Sequence, residues 1–191
     1  MSNEILFTNA AGTLTRGFFQ NVSGTRRQGV EVGLRGKFEN FGWYVNYSFI
    51  QATYQSTATL QNAIGPVSVQ KGKRISAVPD QLSKVGFDYQ ALQDWFIGSD
   101  LFYVASQYLR GDDSNQVAKI PGYVVVNLNT RYRIIDQVEI FAWANNLFNS
   151  QYSSFGLVNR NAFSNPVGRV ERFLSPGAPI AGWAGIRIIL D

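Results

Sequence analysis

A chain of 191 residues with 16% charged and 14% aromatic side chains differs from soluble domains, which carry about 25% charged residues. It contains no cysteine and no histidine, which excludes zinc sites, Cys nucleophiles and Ser-His-Asp triads. The net charge of +4 comes from scattered Lys and Arg residues, so no clustered basic face for nucleic acid is expected. No apolar run approaches the roughly 20 residues that a membrane-spanning helix needs.

Apolar and polar residues alternate with a period of two along much of the chain, which is typical of strands with one apolar and one polar face. In residues 122–134, for example, Val126 and Leu128 alternate with Asn127 and Asn129. Most of the alternating segments are close to the ~9 to 11 residues with which a tilted strand crosses a bilayer. We predict about eight antiparallel strands, at residues 3–9, 17–37, 42–56, 81–91, 95–109, 122–134, 138–147 and 180–190.

Short and long connections alternate between these strands. Short polar turns fall at residues 39–40, 93–94 and 136–137, whereas the long connections are rich in Gly, Ser and Asn and lie at 56–79, 110–121 and 148–179. Hairpin loops usually have two to five residues, and outer-membrane barrels combine short periplasmic turns with long external loops. The sequence therefore predicts an all-β protein made of transmembrane β-barrel strands in a meander, with long extracellular loops and both chain ends on the periplasmic side.

Aromatic residues lie close to the ends of the predicted strands, which is typical of the two aromatic girdles of a membrane barrel. The short-turn girdle consists of Phe38, Phe41, Trp43, Tyr89, Trp95 and Tyr132, and the long-loop girdle of Tyr54, Tyr103, Tyr108 and Tyr123. Strand 138–147 fits less well, because Phe141 and Trp143 alternate in phase with Glu139. Whether these two rings face the lumen or the lipid stays open at this point.

Charged residues on the polar sides of the strands are expected to line the barrel lumen and to form cross-strand pairs. The set is Glu31, Arg35, Lys37, Asp88, Arg131, Arg133, Glu139 and Arg187. No two carboxylates stand at a defined spacing beside a helper group, so we predict no catalytic site, no cofactor and no metal site.

Four segments, in chain order, resemble the C-terminal part of TonB-dependent outer-membrane receptors. They are FFQNVSGTRRQGVEVGL (18–34), YLRGDDSN followed by IPGYVVVNL (108–128), NNLFNSQY (145–152) and RFLSPGAPIAGWAGIRI (172–188). Full members of that family hold an N-terminal plug inside a barrel of about 22 strands. The resemblance implies that residues 1–191 are a C-terminal barrel segment, and nothing in them resembles a plug domain or a signal peptide.

The resemblance further implies a transport receptor in the outer membrane of a Gram-negative cell that imports a ferric siderophore or a similar scarce ligand. Expected partners are outer-membrane lipid, the iron-chelate ligand and the barrel-assembly machinery, with TonB reached only through a plug domain. Candidate ligand contacts are charged loop residues, since Arg and Lys pair well with the oxygens of anionic chelates. They are Lys71, Lys73, Arg74, Arg110, Asp112, Asp113, Arg160, Arg169 and Arg172.

The segment YLRGDDSNQ (108–116) also contains a cell-adhesion tripeptide and a group of oxygen ligands of the kind that calcium prefers. An EF-hand loop needs ligands at alternating positions and a distal Glu, which residues 116–121 do not supply. We therefore predict a polar external loop that can contact the imported ligand. The alternative for all the charged loop residues is that they only keep the loops solvated.

A second function is compatible with the strand count: a free-standing barrel of about eight strands with a structural or adhesion role. Such a barrel would close by pairing strand 3–9 with strand 180–190, because open strand edges are not tolerated in lipid. A soluble β-sandwich is a more distant alternative.

Overall fold

The computed structural model describes residues 2–9, 17–62 and 65–190. This part of the chain is all-β, and none of it forms a helix long and apolar enough to cross a membrane. Its strands are β1 (Ser2–Asn9), β2 (Gly17–Phe38), β3 (Phe41–Tyr54), β4 (Ala58–Asn62), β5 (Gly65–Val69), β6 (Gln81–Leu92), β7 (Trp95–Val104), β8 (Tyr123–Ile135), β9 (Val138–Asn145), β10 (Ser153–Asn161), β11 (Arg169–Pro176) and β12 (Ala181–Ile188).

Eight of these strands form one antiparallel sheet in the order β1-β2-β3-β6-β7-β8-β9-β12. This order confirms the predicted meander and its short turns. The remaining strands form two separate hairpins, β4–β5 and β10–β11, which lie inside long connections that the sequence analysis assigned to loops. They were missed because β4 and β5 have only five residues each and none of the four strands shows a clear one-sided apolar pattern.

The N-terminal strand, β1, lies farther toward the long-loop end of the sheet than the sequence analysis predicted. β2 has 22 residues, and its part from Thr25 to Phe38 pairs with β3, whereas β1 pairs only with residues 17–25. Ser2 therefore lies level with Thr25 and Tyr54, at the long-loop end of the sheet. The prediction that both chain ends lie on the short-turn side is wrong for this strand, because periodicity gives a strand's faces but not its register along a longer partner.

The C-terminal strand lies as predicted. Ile188 pairs with Val138, and the amide of Ile189 donates to the carbonyl of Gln137 at the last short turn, over 2.9 Å. β1 and β12 are the two outer strands of the sheet, and within the described residues they do not pair with each other. The sheet is therefore open, and the closure that a free-standing eight-stranded barrel requires is not formed.

The two faces of the sheet differ in chemistry as predicted. One face, called the apolar face, exposes large side chains such as Val30, Leu34, Phe87 and Ile186, as expected for contact with lipid. The six residues predicted for the short-turn girdle all lie on this face, where the Phe41 and Phe87 rings stack at 5.6 Å. The long-loop girdle prediction is wrong for Tyr54, which is buried among the loops. It is also wrong for Tyr123, which lies opposite Val104 on the other face of the sheet and stacks on Tyr152.

The opposite face, called the polar face, includes the two rings whose orientation was left open. Residues that stand directly opposite in an antiparallel pair share a face, and Phe141 faces Arg131 while Trp143 faces Asn129. Trp143 also stacks on Trp183 of β12 at a centroid distance of 6.3 Å. Both rings thus lie on the side of the charged residues, which in a closed barrel would be the lumen.

Candidate functional site

Three long loops gather at one end of the sheet: loop A (residues 55–80, with β4–β5), loop B (105–122) and loop C (146–180, with β10–β11). Loop A packs around an apolar core that it shares with β2 and β3. This core contains the buried side chains of Val22, Ala52, Tyr54, Leu60, Val69 and Ile75. Tyr54, at the end of β3, is wholly buried and carries its hydroxyl toward loop B.

Loop B is joined to loop A by a buried carboxylate. Asp113 is only 8% exposed, and its Oδ1 accepts hydrogen bonds from the hydroxyls of Tyr54 (3.1 Å) and Ser76 (3.0 Å). Burial raises the pKa of the Asp113 carboxyl, and the adjacent Asp112 carboxylate raises it further, while the two hydroxyl hydrogen bonds act in the opposite direction. Asp113 thus joins the two loops, although removing its carboxylate from water is unfavourable.

A second connection between these loops comes from Asn115. Its Oδ1 accepts from the amide of Arg74 (2.7 Å) and its Nδ2 donates to the carbonyl of the same residue (3.0 Å), so the side chain pairs as a strand backbone would. The φ angle of Asn115 is 57°, a left-handed conformation that Asn adopts more readily than most residues. Asp112 supports the turn from inside, because its carboxylate accepts the amides of Gln116 and Val117.

Loop B also docks on loop C. The amide of Arg110 donates to the carbonyl of Gly156 (3.0 Å), and the Arg110 carbonyl accepts from the amide of Val158 (2.9 Å). Beside this bridge the buried side chains of Leu109, Ile120 and Val158 form a small apolar cluster. Loop B therefore contacts both of its neighbours, and the three loops form one connected layer over this end of the sheet.

The nine predicted ligand contacts fall into two groups in this layer. Asp112 and Asp113 are buried and bonded within the loops, and the Arg74 guanidinium pairs with Asp80. The other six are exposed or half-buried: Lys71, Lys73, Arg110, Arg160, Arg169 and Arg172. Arg74 lies next to the acidic turn of loop B. Its backbone amide and carbonyl, and not its guanidinium, form the contact, which is with the Asn115 side chain. Ligand contact stays a prediction for all nine.

The polar face of the sheet carries a second group of interactions. Two of the eight charged residues expected to form cross-strand pairs, Arg187 and Glu139, form an ion pair at 2.8 Å. The Tyr44 ring lies across Gly86, and its hydroxyl donates to Asp100 two strands away. A Cβ at Gly86 would lie 2.5 Å from the ring, so any larger residue there would displace the Tyr44 side chain. In the sequence, the only sign of this contact is a glycine on the polar face of the strand that lies between those of Tyr44 and Asp100.

The interactions of these groups hold the loops and the strands in position. Among residues 2–9, 17–62 and 65–190, no three His, Cys, Asp or Glu side chains gather as a metal site would require. The site consists of a layer of three docked loops that carries exposed cations. This layer lies at one end of a sheet that has one polar and one apolar face.

Comparison with known families identifies this architecture. Residues 1–147 match the family model described as "TonB dependent receptor-like, beta-barrel". The chain belongs to the TonB-dependent receptor β-barrel family. This family consists of transport receptors, and its members are outer-membrane β-barrels of Gram-negative bacteria. No curated protein sequence matches the chain.

Several solved structures of receptors and transporters share the fold. The siderophore receptor PiuA from Acinetobacter baumannii matches with a TM-score of 0.72 and 17% identity over 95% of this chain and 24% of that one. The copper transporter OprC gives 0.66 and 19% over 96% and 26%, and the ferric-catecholate import receptor Fiu from E. coli K12 gives 0.63 and 18% over 94% and 22%. The chain thus spans about a quarter of these receptors.

The segment NNLFNSQY (145–152) forms the turn that follows β9, and its asparagines bond to the residues that lead into β12. Asn146 is buried, with a φ angle of 49°, and its Nδ2 donates to the carbonyls of Ser150 and Ala178, both at 3.0 Å. Asn149 also has a φ angle of 49°, and its Oδ1 accepts the amide of Ile180 at 3.1 Å. The asparagines therefore fix the start and end of loop C.

Proposed function

We propose that the chain is a C-terminal wall segment of an outer-membrane receptor that imports a ferric siderophore or a similar scarce metal chelate. The observation that carries the proposal is an open sheet with one lipid-compatible face, one polar face and a layer of docked loops at one end. Structures with this fold include receptors whose names state siderophore, ferric-catecholate and copper transport. In this proposal the wall segment contributes to transport and catalyses no reaction.

Within this function the charged loop residues divide into two roles. The buried acids Asp112 and Asp113, together with Arg74, keep loops A and B in place, because their side-chain or backbone groups are bonded inside the layer. Ligand contact falls to the remaining cations, of which Lys71, Arg110, Arg169 and Arg172 are exposed and Lys73 and Arg160 are half-buried. Arginine and lysine suit the anionic oxygens of iron chelates.

The remaining partners follow from the same proposal. Lipid contacts the apolar face, the barrel-assembly machinery inserts the protein, and TonB acts through a plug domain in the polar lumen. The alternative, a free-standing barrel with a structural or adhesion role, is less well supported, because β1 and β12 do not pair and β1 covers only part of β2.

The proposal is tested in the bacterium that makes the protein. Deletion of the gene should abolish energy-dependent uptake of radioactive iron supplied as a ferric catecholate or as ferric citrate, or uptake of copper, and a plasmid copy should restore it. Unchanged uptake of all three would contradict an import function. A folded, heat-modifiable band from residues 1–191 expressed alone would instead support the free-standing barrel.

A further inference from the structure

A groove of about 570 Å³ lies on the apolar face of the sheet near its short-turn end. Its floor is formed by Ala142 of β9 and Ala184 of β12, which stand directly opposite each other. The larger side chains of Trp95, Tyr132 and Ile186 border this floor. Small-molecule sites usually have volumes of roughly 300–1,000 Å³, so the groove is large enough to hold a ligand.

The floor of the groove continues toward the middle of the sheet. Beyond Ala142 and Ala184, Ala144 stands opposite Gly182 on the same face. From Ile140 to Ala144 the floor rises four residues along β9, or about 13 Å at ~3.3 Å per residue. One leaflet of the hydrocarbon layer is about 15 Å thick, half of the roughly 30 Å of the bilayer core. The floor therefore has the length of an acyl chain within a single leaflet.

Hydrogen bonds fix the aromatic border of the groove. The Trp95 Nε1 donates to the Thr130 Oγ1 (2.8 Å), and the Thr130 hydroxyl donates to the carbonyl of Phe96 (2.9 Å). The indole is thereby held in one orientation beside the alanine floor. A border that is fixed in advance lowers the entropy that binding of a ligand costs.

The short-turn end of the groove carries a polar group at the depth of the lipid headgroups. Trp95 and Tyr132 belong to the short-turn girdle, and the rings of such a girdle lie at the membrane interface. The Tyr132 side chain is 44% exposed, and within residues 2–9, 17–62 and 65–190 its hydroxyl has no hydrogen-bond partner. This hydroxyl is therefore available to donate to a phosphate or ester oxygen.

We propose that this groove binds one phospholipid of the inner leaflet, with an acyl chain over Ala142 and Ala184 and the headgroup beside Tyr132. The groove is continuous with the apolar face that contacts lipid, and a chain in it makes dispersion contacts with the alanines that an unfilled groove would lack. A peptide partner fits less well, because the Trp95 indole and the Thr130 hydroxyl already donate their hydrogen bonds within the sheet. The site requires the membrane location and is independent of the imported ligand.

The test uses the complete receptor, purified from outer membranes in detergent. A phosphatidylethanolamine with a photoreactive group midway along one acyl chain is added, and its cross-links are mapped by mass spectrometry. The wild type should react mainly within residues 138–145 and 181–188. Ala142→Leu and Ala184→Leu fill the groove, and each should lower this yield about fivefold, as expected when the chain loses on the order of ten heavy-atom contacts.

Three further variants separate the parts of the site. Tyr132→Phe removes only the hydroxyl and should lower the yield about 2- to 12-fold, which is the effect of one hydrogen bond. It leaves the packing unchanged, so it also tests the site if a leucine variant does not fold. Ala142→Ser keeps a small side chain and should retain the yield. Val85→Leu enlarges a side chain elsewhere on the apolar face and should also retain it.

The outcomes separate this site from ordinary lipid contact and from the import function. Equal cross-linking over the whole apolar face, or an unchanged yield in both leucine variants, would overturn the groove site. An unchanged yield in Tyr132→Phe would overturn the placement of the headgroup. A membrane protein that stays bound to the wild type and is lost from Ala142→Leu would replace the lipid by a protein partner. Iron and copper uptake in the deletion strain reports on import alone, so either proposal can fail without the other.

Discussion

Loop B and the tip of the β10–β11 hairpin are both polar connections in the sequence, yet their surroundings are opposite. Loop B buries the carboxylates of Asp112 and Asp113 and bonds them inside the loop layer. The tip instead exposes Phe163 almost completely. In this molecule the charged residues of one loop hold the structure together, whereas the tip of another loop exposes an aromatic ring.

The largest expected effect is at Asp113. Asp113→Ala removes the acceptor of the Tyr54 and Ser76 hydroxyls, and loss of such a buried partner should lower the free energy of opening loop B by about 2–3 kcal/mol. Hydrogen exchange of peptides from residues 105–117, measured on the membrane-embedded protein, reports this opening. Asp113→Asn retains an acceptor without the charge and should preserve protection. Unchanged exchange in the alanine variant would mean that loop B is not held through this contact.

Asn115 should show a smaller effect of the same kind. Asn115→Ala loses both hydrogen bonds to the Arg74 backbone, which should destabilise the docking by about 1–2 kcal/mol. Asn115→Gly is the matched control, since glycine adopts the positive φ angle without strain but cannot form the bonds. Faster exchange in both variants is expected, with alanine the more affected. If exchange is normal in the glycine variant, the faster exchange of the alanine variant comes from backbone strain and not from the lost hydrogen bonds.

A weaker effect is expected from pH. The pKa of the Asp113 carboxyl is raised by burial above its ordinary value of 3.8, so the docked loop binds the proton more tightly than the undocked loop. This contribution to docking is complete below pH 3.8 and is lost as the pH rises through the raised pKa. Protection of loop B, corrected for the intrinsic exchange rate, should therefore increase toward acid. Asp113→Asn should remove this dependence, and an identical pH profile in that variant would assign it to another group.

The smallest effect on stability is expected at the tip. Phe163→Ala removes a side chain that packs against nothing, so loop protection should stay within about 0.5 kcal/mol of the wild type. The same exchange measurement checks this, with peptides from residues 153–176. A clear loss of protection would show that Phe163 supports the hairpin, and the contrast with loop B would then disappear.

The amino-acid sequence by itself determined the eight strands of the main sheet, its short turns and its two faces. Alternation of Val126 and Leu128 with Asn127 and Asn129 indicates which face of the strand each side chain occupies, and the short-turn rings lie on the apolar face as predicted. The ordered motifs also indicated the family. These features depend on neighbouring residues, and a period of two is enough to predict them.

Only the tertiary structure decided which loop residues are internal and which are presented outward. Tyr54 and Asp113 are separated by 59 residues, and Arg74 and Asn115 by 41, so no local pattern indicates that they meet. The register of β1 on β2, and the place of Phe141 and Trp143 on the polar face, depend in the same way on pairing between strands. Long-range pairing fixes these positions, because the same local alternation is compatible with several registers and with either docked or solvated loops.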